Sequence, residues 1–356
     1  MRSCTPGFAL VLALATPSVP PDLTIVTDQA EAALAILDLR SAREPVPEEA
    51  WGRLLESEGY RRLKAREAAM GRAFDDSTFR AFLGSDTLLR RAPALRRTLH
   101  EWRSARLDEA GRRALAYLPA GTPIRARVYL LIKPRTNSFV FEPATDPAIM
   151  LYLDPSRTRV EQENTVAHEL HHIGYATACR STPDAPADSA VSTARQWLGA
   201  FGEGVAMLAA AGGPDVHPHA TSPEPDRVRW DRDVANAAAD LGRVEAFLLD
   251  VLERRVTDPD SIGRVGMSFF GVQGPWYTLG WVMASTVERD AGRTALVRLL
   301  CDPVSLLKAY NAAAARRPAG EAPPRWSEAL LARLSPPPGP RRPRRRRANR
   351  RRRSPG

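Results

Sequence analysis

The segment that most constrains this 356-residue chain is Asn164-Thr-Val-Ala-His-Glu-Leu-His-His-Ile-Gly-Tyr175, which contains the pattern H-E-x-x-H as His168, Glu169 and His172. On an α-helix, residues four positions apart lie about 6 Å apart along the axis and roughly 40° apart around it, so both imidazoles project from one face. Two such imidazoles can bind one zinc ion, and the glutamate beside them can take a proton from the water that the ion activates. The segment therefore predicts a helix that carries a zinc site, with Glu169 as general base.

A catalytic zinc ion needs a third protein ligand and keeps one position for water. The metzincin pattern H-E-x-x-H-x-x-G-x-x-H is excluded, because Ala178 stands where its third histidine would be. Glu203 is the better candidate, since it is the only ionisable residue in the apolar segment 197–212. A buried carboxylate without a partner is unfavourable, so Glu203 should bind the metal, with an arginine or backbone donors as the alternative. Small residues around it would let another helix approach closely: Gly199, Gly202, Gly204 and Ala206.

Other residues are weaker candidates for the site. Tyr277 stands at a predicted helix start and could donate a hydrogen bond to an oxyanion, or simply pack as an aromatic side chain. His217 and His219 could be transition-state donors, an alternative ligand or plain loop residues, and the surrounding Gly and Pro favour the loop. His171 points away from the ligand face of the helix and is expected behind the ligands or at the surface.

The patterns along the rest of the chain predict an α+β fold that is rich in helices. Apolar spacing over residues 51–70 predicts a one-sided helix inside a helical N-terminal region, 22–120, and Asp76 marks another helix start. Three short segments that end near proline predict a small sheet just before the H-E-x-x-H helix: 124–132, 138–141 and 149–153. Helices then continue to about residue 334, with loops at 181–190 and 212–226.

The N-terminal residues and the cysteines bear on localisation. Residues 1–21 resemble a secretory signal, with Arg2, a short apolar core and a possible A-x-A cleavage site at 13–15. This predicts a secreted or periplasmic protein, with a cytoplasmic one as the alternative. Cys179 and Cys301 could pair in an oxidising compartment or remain buried free thiols, and both interpretations stay open.

The formal net charge of +10 arises at the C-terminal end of the chain. Residues 341–356 contain ten arginines and no acid, which leaves 41 basic and 41 acidic residues elsewhere. The segment 335–356 is predicted to be disordered. Such a tail could bind nucleic acid or another anionic surface without sequence preference. The neutral remainder has no nucleic-acid-binding motif, so this alternative is confined to the tail.

No apolar run is long enough to predict a transmembrane helix.

Several segments together resemble a family of bacterial zinc-dependent peptidases: Tyr60-Arg-Arg-Leu-Lys-Ala-Arg-Glu67, Ile132-Lys-Pro134, Asn137-Ser-Phe-Val-Phe141, His168–Tyr175 and Gly202-Glu-Gly-Val-Ala206. The chain is similar to the gluzincins, in which two histidines of the motif and a glutamate from a later helix hold zinc. The resemblance spans about residues 50–315. It implies a zincin-like metallopeptidase domain over 121–334, with a small sheet whose edge could pair with an extended substrate.

The sequence thus predicts a zinc hydrolase that acts on peptide or protein substrates. Zn²⁺ would be bound by His168, His172 and Glu203, with Glu169 as base and Tyr277 as a second catalytic candidate. A zinc amidase that does not cleave peptides remains an alternative, because the sequence does not determine the shape of the pocket. The oligomeric state also stays open.

Overall fold

The computed structural model describes residues 20–105, 107–179 and 188–335. The signal-like segment 1–21 and the arginine-rich tail 335–356 fall almost entirely outside these ranges, as does most of the predicted loop 181–190. The strands are β1 (Asp22–Val26), β2 (Arg125–Leu131), β3 (Phe139–Phe141) and β4 (Ala148–Tyr152). The helices are α1 (Asp28–Ser41), α2 (Glu48–Glu56), α3 (Glu58–Ala69), α4 (Asp76–Leu83), α5 (Asp86–Trp102), α6 (Leu107–Leu115), α7 (Arg159–Ala178), α8 (Ser189–Leu198), a 3₁₀ turn (Gly199–Phe201), α9 (Gly202–Ala211), α10 (Glu224–Ala235), α11 (Ala237–Leu252), α12 (Pro259–Ser268), α13 (Pro275–Ala291), α14 (Arg293–Leu299), α15 (Pro303–Ala315) and α16 (Glu328–Leu334).

The four strands form one mixed sheet in the order β1-β2-β4-β3. The first three strands in this order run parallel, and β3 pairs antiparallel with β4, with Val140 opposite Ile149. β4 is buried along its whole length. The three predicted strands are present with ends that differ by one or two residues, and the predicted α+β class with dominant helices is confirmed.

The helical prediction is wrong for residues 22–26, which form β1. This strand pairs with β2, about 100 residues later in the chain. Five residues are too few for helical and strand periods to be distinguished locally, and the partner strand decides the conformation. Because of this pairing, the segments before and after residue 120 share one sheet.

The predicted helix over residues 51–70 is divided at Ser57 into α2 and α3. The Ser57 side chain accepts a hydrogen bond from the Tyr60 N–H, as an N-cap does. Asp28, at the start of α1, accepts from the N–H groups of Glu58 and Gly59. These acceptors satisfy the free donors of a new helix start, so the chain turns while its apolar side chains still face the core.

The helix that carries the H-E-x-x-H pattern is α7. Its start is a capping box, in which Thr158 and Glu161 each accept from the backbone N–H of the other. Its inner face is fully buried at Val166, Leu170 and Ile173 and packs on α6 and α9. Sequence-local capping and the buried face therefore fix where α7 begins and how it is rotated.

Cys179, just past the end of α7, is disulfide-bonded to Cys301, two residues before α15. Their Cα atoms lie 5.1 Å apart across 122 residues of sequence. Of the two alternatives that the sequence left open, the structure has the disulfide. None of the described helices is both long and apolar enough to cross a membrane.

Candidate metal centre

His168 and His172 lie one turn apart on the same face of α7, as their spacing predicts. Their rings are edge to face with centroids 4.7 Å apart. The two Nε2 atoms are 3.0 Å from each other, and each lies 3.1 Å from Oε2 of Glu203. The three residues that the sequence predicted as ligands are therefore brought together by the fold.

Glu203 reaches the imidazoles from the first turn of α9, which packs on both α7 and α13. A Cβ added to Gly204 would collide with the backbone of Gly280 and Trp281 in α13. The expected close helix approach is thus correct at Gly204. It is wrong at Gly199 and Gly202, where an added Cβ would meet no atom within 4 Å.

The geometry of the three atoms fits a divalent cation. Their separations of 3.0–3.1 Å are close to the roughly 3.3–3.4 Å between two ligand atoms of a tetrahedral zinc with bonds of about 2.0–2.1 Å. Two imidazoles and one carboxylate are also the ligand set of one class of catalytic zinc site. Within the described part of the chain, these three residues form the group whose ligand atoms are close enough to hold a metal ion.

The electrostatics of the three residues agree with a cation site. Burial raises the pKa of Glu203, but the two imidazoles outweigh it and hold that pKa well below its usual value. Burial lowers the pKa of His172, and the Glu203 and Glu169 carboxylates outweigh it and raise that pKa to about 9. Three electron-rich atoms that converge in this way repel one another unless a proton or a metal ion lies between them. The site therefore attracts positive charge.

Glu169 lies beside the two histidines and lines the cleft in front of them. It is 8% exposed, and burial raises the pKa of its carboxyl, while His168 and His172 oppose that rise. The edge strand β3 packs on α7, and the backbone of its Val140 has the smallest influence on the pKa of Glu169, which it lowers. A carboxylate at the rim of a cleft can accept a proton from a bound water.

Tyr277 stands in the first turn of α13 and borders the same cleft. Its ring is stacked on that of His168, with centroids 6.1 Å apart and planes 15° apart. Burial and the Glu203 and Glu169 carboxylates raise the pKa of its phenol. The hydroxyl therefore stays protonated at neutral pH and can serve as a hydrogen-bond donor.

His171 is fully buried, and its ring centroid lies 6.4 Å from that of His172. Burial lowers its pKa to about 3, so the imidazole is neutral. The alternative that placed His171 at the surface is wrong, because the helix face away from the ligands packs into the core. His171 lies outside the group of potential ligands described above.

His217 and His219 occupy a loop before α10, but they are not unconstrained. The Nε2 of His217 lies 3.0 Å from Asp231, and its Nδ1 accepts from the backbone N–H of His219. His219 is 6% exposed, packs on Trp230, and lines the same cleft as Glu169. The predicted loop is thus confirmed for both histidines, and α10 supplies partners for their side chains.

The cleft in front of the site has a volume of about 390 Å³ and contains residues that sequence reasoning missed. Asp226 accepts from Arg229 at 2.8 Å and from Arg157 at 3.4 Å, which joins α10 to the start of α7. In an arginine-rich chain no sequence signal distinguishes these two arginines from the others. Gln273 has a left-handed backbone, with φ 60°, at the same wall.

The fold and the site define a helix-rich α+β protein with a His-His-Glu group of the kind used by catalytic zinc sites. The family model described as "Putative zinc dependent peptidase (DUF5700)" matches residues 51–319, more than half of the chain. The chain belongs to this family, and the resemblance expected from the sequence is confirmed. No curated protein and no solved structure matched the chain in the corresponding comparisons.

Proposed function

We propose that this protein is a zinc-dependent hydrolase of peptide bonds, with the metal bound by His168, His172 and Glu203 and with Glu169 as general base. The observation that carries the proposal is the convergence of two Nε2 atoms and one carboxylate oxygen within 3.1 Å, next to a carboxylate that lines the cleft. Membership of a family described as zinc dependent peptidases supports the same metal and reaction class.

A zinc ion bound there would act as a Lewis acid toward the scissile carbonyl and lower the pKa of the attacking water. Glu169 takes the proton of that water and returns it to the nitrogen of the leaving amine. Glu169 lines the same cleft as Ser138, the residue just before the edge strand β3, so the base lies where substrate would bind. The Tyr277 hydroxyl, which remains protonated, donates a hydrogen bond to the oxygen on which negative charge develops.

We also propose a zincin-like arrangement in which substrate lies along the edge strand β3. This strand is antiparallel to β4, lies at one edge of the sheet and packs on α7. Asn137 and Ser138, just before the strand, line the same cleft as Glu169. An extended peptide could add to this edge through main-chain hydrogen bonds, and peptide or protein substrates therefore suit the site.

Zinc analysis and one isosteric variant test the function. We expect about one zinc ion per wild-type chain, and hydrolysis of a mixed peptide library that chelation removes and zinc restores. Glu169→Gln should retain zinc and lose turnover by roughly 10²–10⁴-fold, because the amide cannot accept the proton. The control is Glu163→Gln, on the same helix but paired with Arg159 at 3.2 Å. Equal turnover by wild type and Glu169→Gln would contradict the proposed mechanism.

We further propose export to an oxidising compartment, either the periplasm or the medium. The Cys179–Cys301 disulfide supports this localisation, since such bonds persist outside the reducing cytosol. Cell fractionation of the native producer, with thiol labelling before and after reduction, tests it. Free thiols at both cysteines in a cytoplasmic fraction would contradict export.

A further inference from the structure

Lys133 is a buried lysine outside the group of metal-site residues, in one of the segments that carry the family resemblance. It follows β2 and is only 3% exposed. Its Nζ donates to the carbonyl oxygens of Arg135 and Asn137, both at 2.5 Å, and lies 3.3 Å from the side-chain oxygen of Asn137. A buried amine needs such acceptors, because its desolvation is unfavourable. The segment 133–138 is therefore folded around Nζ.

The same amine contacts the aromatic side chains of the two strands next to the cleft. Nζ lies 5.3 Å from the ring centre of Phe139 in β3 and 5.7 Å from that of Tyr152 in β4. The guanidinium of Arg66, from α3, lies 3.8 Å from the ring centre of Phe139. Both distances to Phe139 are within the range of cation–π attraction. Phe139 is thus contacted by basic side chains from two different segments.

The position of Phe139 bears on the cleft, because β3 packs on α7, the helix that carries Glu169. Phe139 and Val140 begin this strand of three residues. Ser138 precedes them, and its hydroxyl accepts from the Tyr152 N–H at 3.1 Å, which registers the start of β3 against β4. A shift of this short strand would therefore move Asn137 and Ser138, which line the same cleft as Glu169, and change the wall of the cleft.

We propose that Lys133 is a positioning residue for peptide hydrolysis: it organises segment 133–138 and clamps Phe139, so that β3 is fixed against α7 and presents its edge to an extended substrate beside Glu169. This inference rests on the proposed function for its catalytic consequence. Its structural consequence, the placement of β3, stands independently of turnover.

The experiment compares zinc-loaded Lys133→Met and Lys133→Arg with wild type. Lys308→Met is the matched control, because Lys308 lies on α15 and contacts Ser335. In Lys133→Met we expect zinc content to be unchanged, the amides of residues 137–141 to exchange hydrogen at least about tenfold faster, and kcat on the peptide library to fall at least about tenfold. Lys133→Arg, which keeps charge and donors, should recover part of both quantities, and Lys308→Met should match wild type.

Each outcome separates this inference from the proposed function. If wild type hydrolyses no peptide, the proposed function fails, while amide exchange still decides whether Lys133 places β3. If Lys133→Met is folded and keeps both amide exchange and kcat within twofold of wild type, the inference is overturned. If both Lys133 variants lose zinc and unfold at the same temperature, below that of wild type, Lys133 only stabilises the core. That outcome also overturns the inference.

Discussion

Gly204 of α9 and Gly280 of α13 lie against each other where the two helices cross. A Cβ on Gly204 would lie 2.5 Å from Cα of Gly280, and a Cβ on Gly280 would lie 3.0 Å from Cα of Gly204. Only hydrogen atoms fit between these backbones, so α9 is seated directly on α13. Glu203 precedes Gly204, and this contact therefore sets how far its carboxylate reaches toward His168 and His172.

Gly204→Ala is expected to displace α9 and to weaken zinc binding. The added methyl group would meet backbone atoms that cannot rotate away, so we expect a loss of about 3 kcal/mol or more in the free energy of unfolding. Denaturant unfolding and zinc stoichiometry measure both effects. Gly202→Ala is the control, since an added Cβ there has open space. A Gly204→Ala protein with wild-type stability and zinc content would contradict the role given to this contact.

Glu203→Gln should remove zinc without unfolding the protein. The amide keeps the size of the side chain but loses the charged oxygen that contacts both imidazoles. We expect the affinity for zinc to fall at least about 100-fold, since even residues that only support metal ligands contribute about 10–100-fold. Competition with a zinc chelator measures the affinity, and Glu224→Gln, at an exposed position in α10, is the control. An unchanged affinity would exclude Glu203 as a ligand.

Zinc binding should release protons below about pH 9. In the metal-free chain, burial lowers the pKa of His172 and the nearby carboxylates outweigh it, so this pKa is raised to about 9. The imidazolium form is therefore populated at pH 7.5, and zinc must displace its proton. We expect release of about one proton per zinc at pH 7.5, with an apparent affinity that rises with pH and levels off near pH 9. Calorimetry in buffers of different ionisation enthalpy measures the release, and an affinity independent of pH between 6.5 and 8.5 would contradict it.

Removal of the disulfide should lower the stability of the protein. Cys179 and Cys301 close a loop of 122 residues, for which the chain-entropy model predicts stabilisation of about 5 kcal/mol. We expect Cys179→Ser combined with Cys301→Ser to lower Tm by roughly 5–15 °C and to make Tm insensitive to reductant. In the unprocessed chain, Cys4→Ser, which changes the third cysteine, should leave Tm unchanged. A double variant as stable as wild type would show that the bond adds little to the native state.

Much of the candidate metal site follows from local sequence. A four-residue spacing on a helix places His168 and His172 on one face, whatever the rest of the fold does. Glu203 was predictable because a lone acid in an apolar helix requires a partner, and the strongest available partner is a metal held by those histidines. These inferences rest on helical geometry and on the unfavourable burial of charge, which act over a few residues.

Other features were decided by contacts between distant segments. β1 is a strand because β2 pairs with it, and Ser57 ends a helix partly because Asp28 from another helix helps to cap the next one. The cleft position of His219 depends on Trp230, and the disulfide depends on the approach of α7 to α15. None of these leaves a periodic pattern in the residues concerned.

The sequence by itself determined which side chains are suited to bind a metal and which helix presents two of them. The tertiary structure alone decided that the third meets them, through the Gly204–Gly280 contact, and that β3 lies beside the helix that carries Glu169. The physical reason is that a helix repeat is a property of adjacent residues. The distance between two helices, by contrast, depends on every side chain that packs between them.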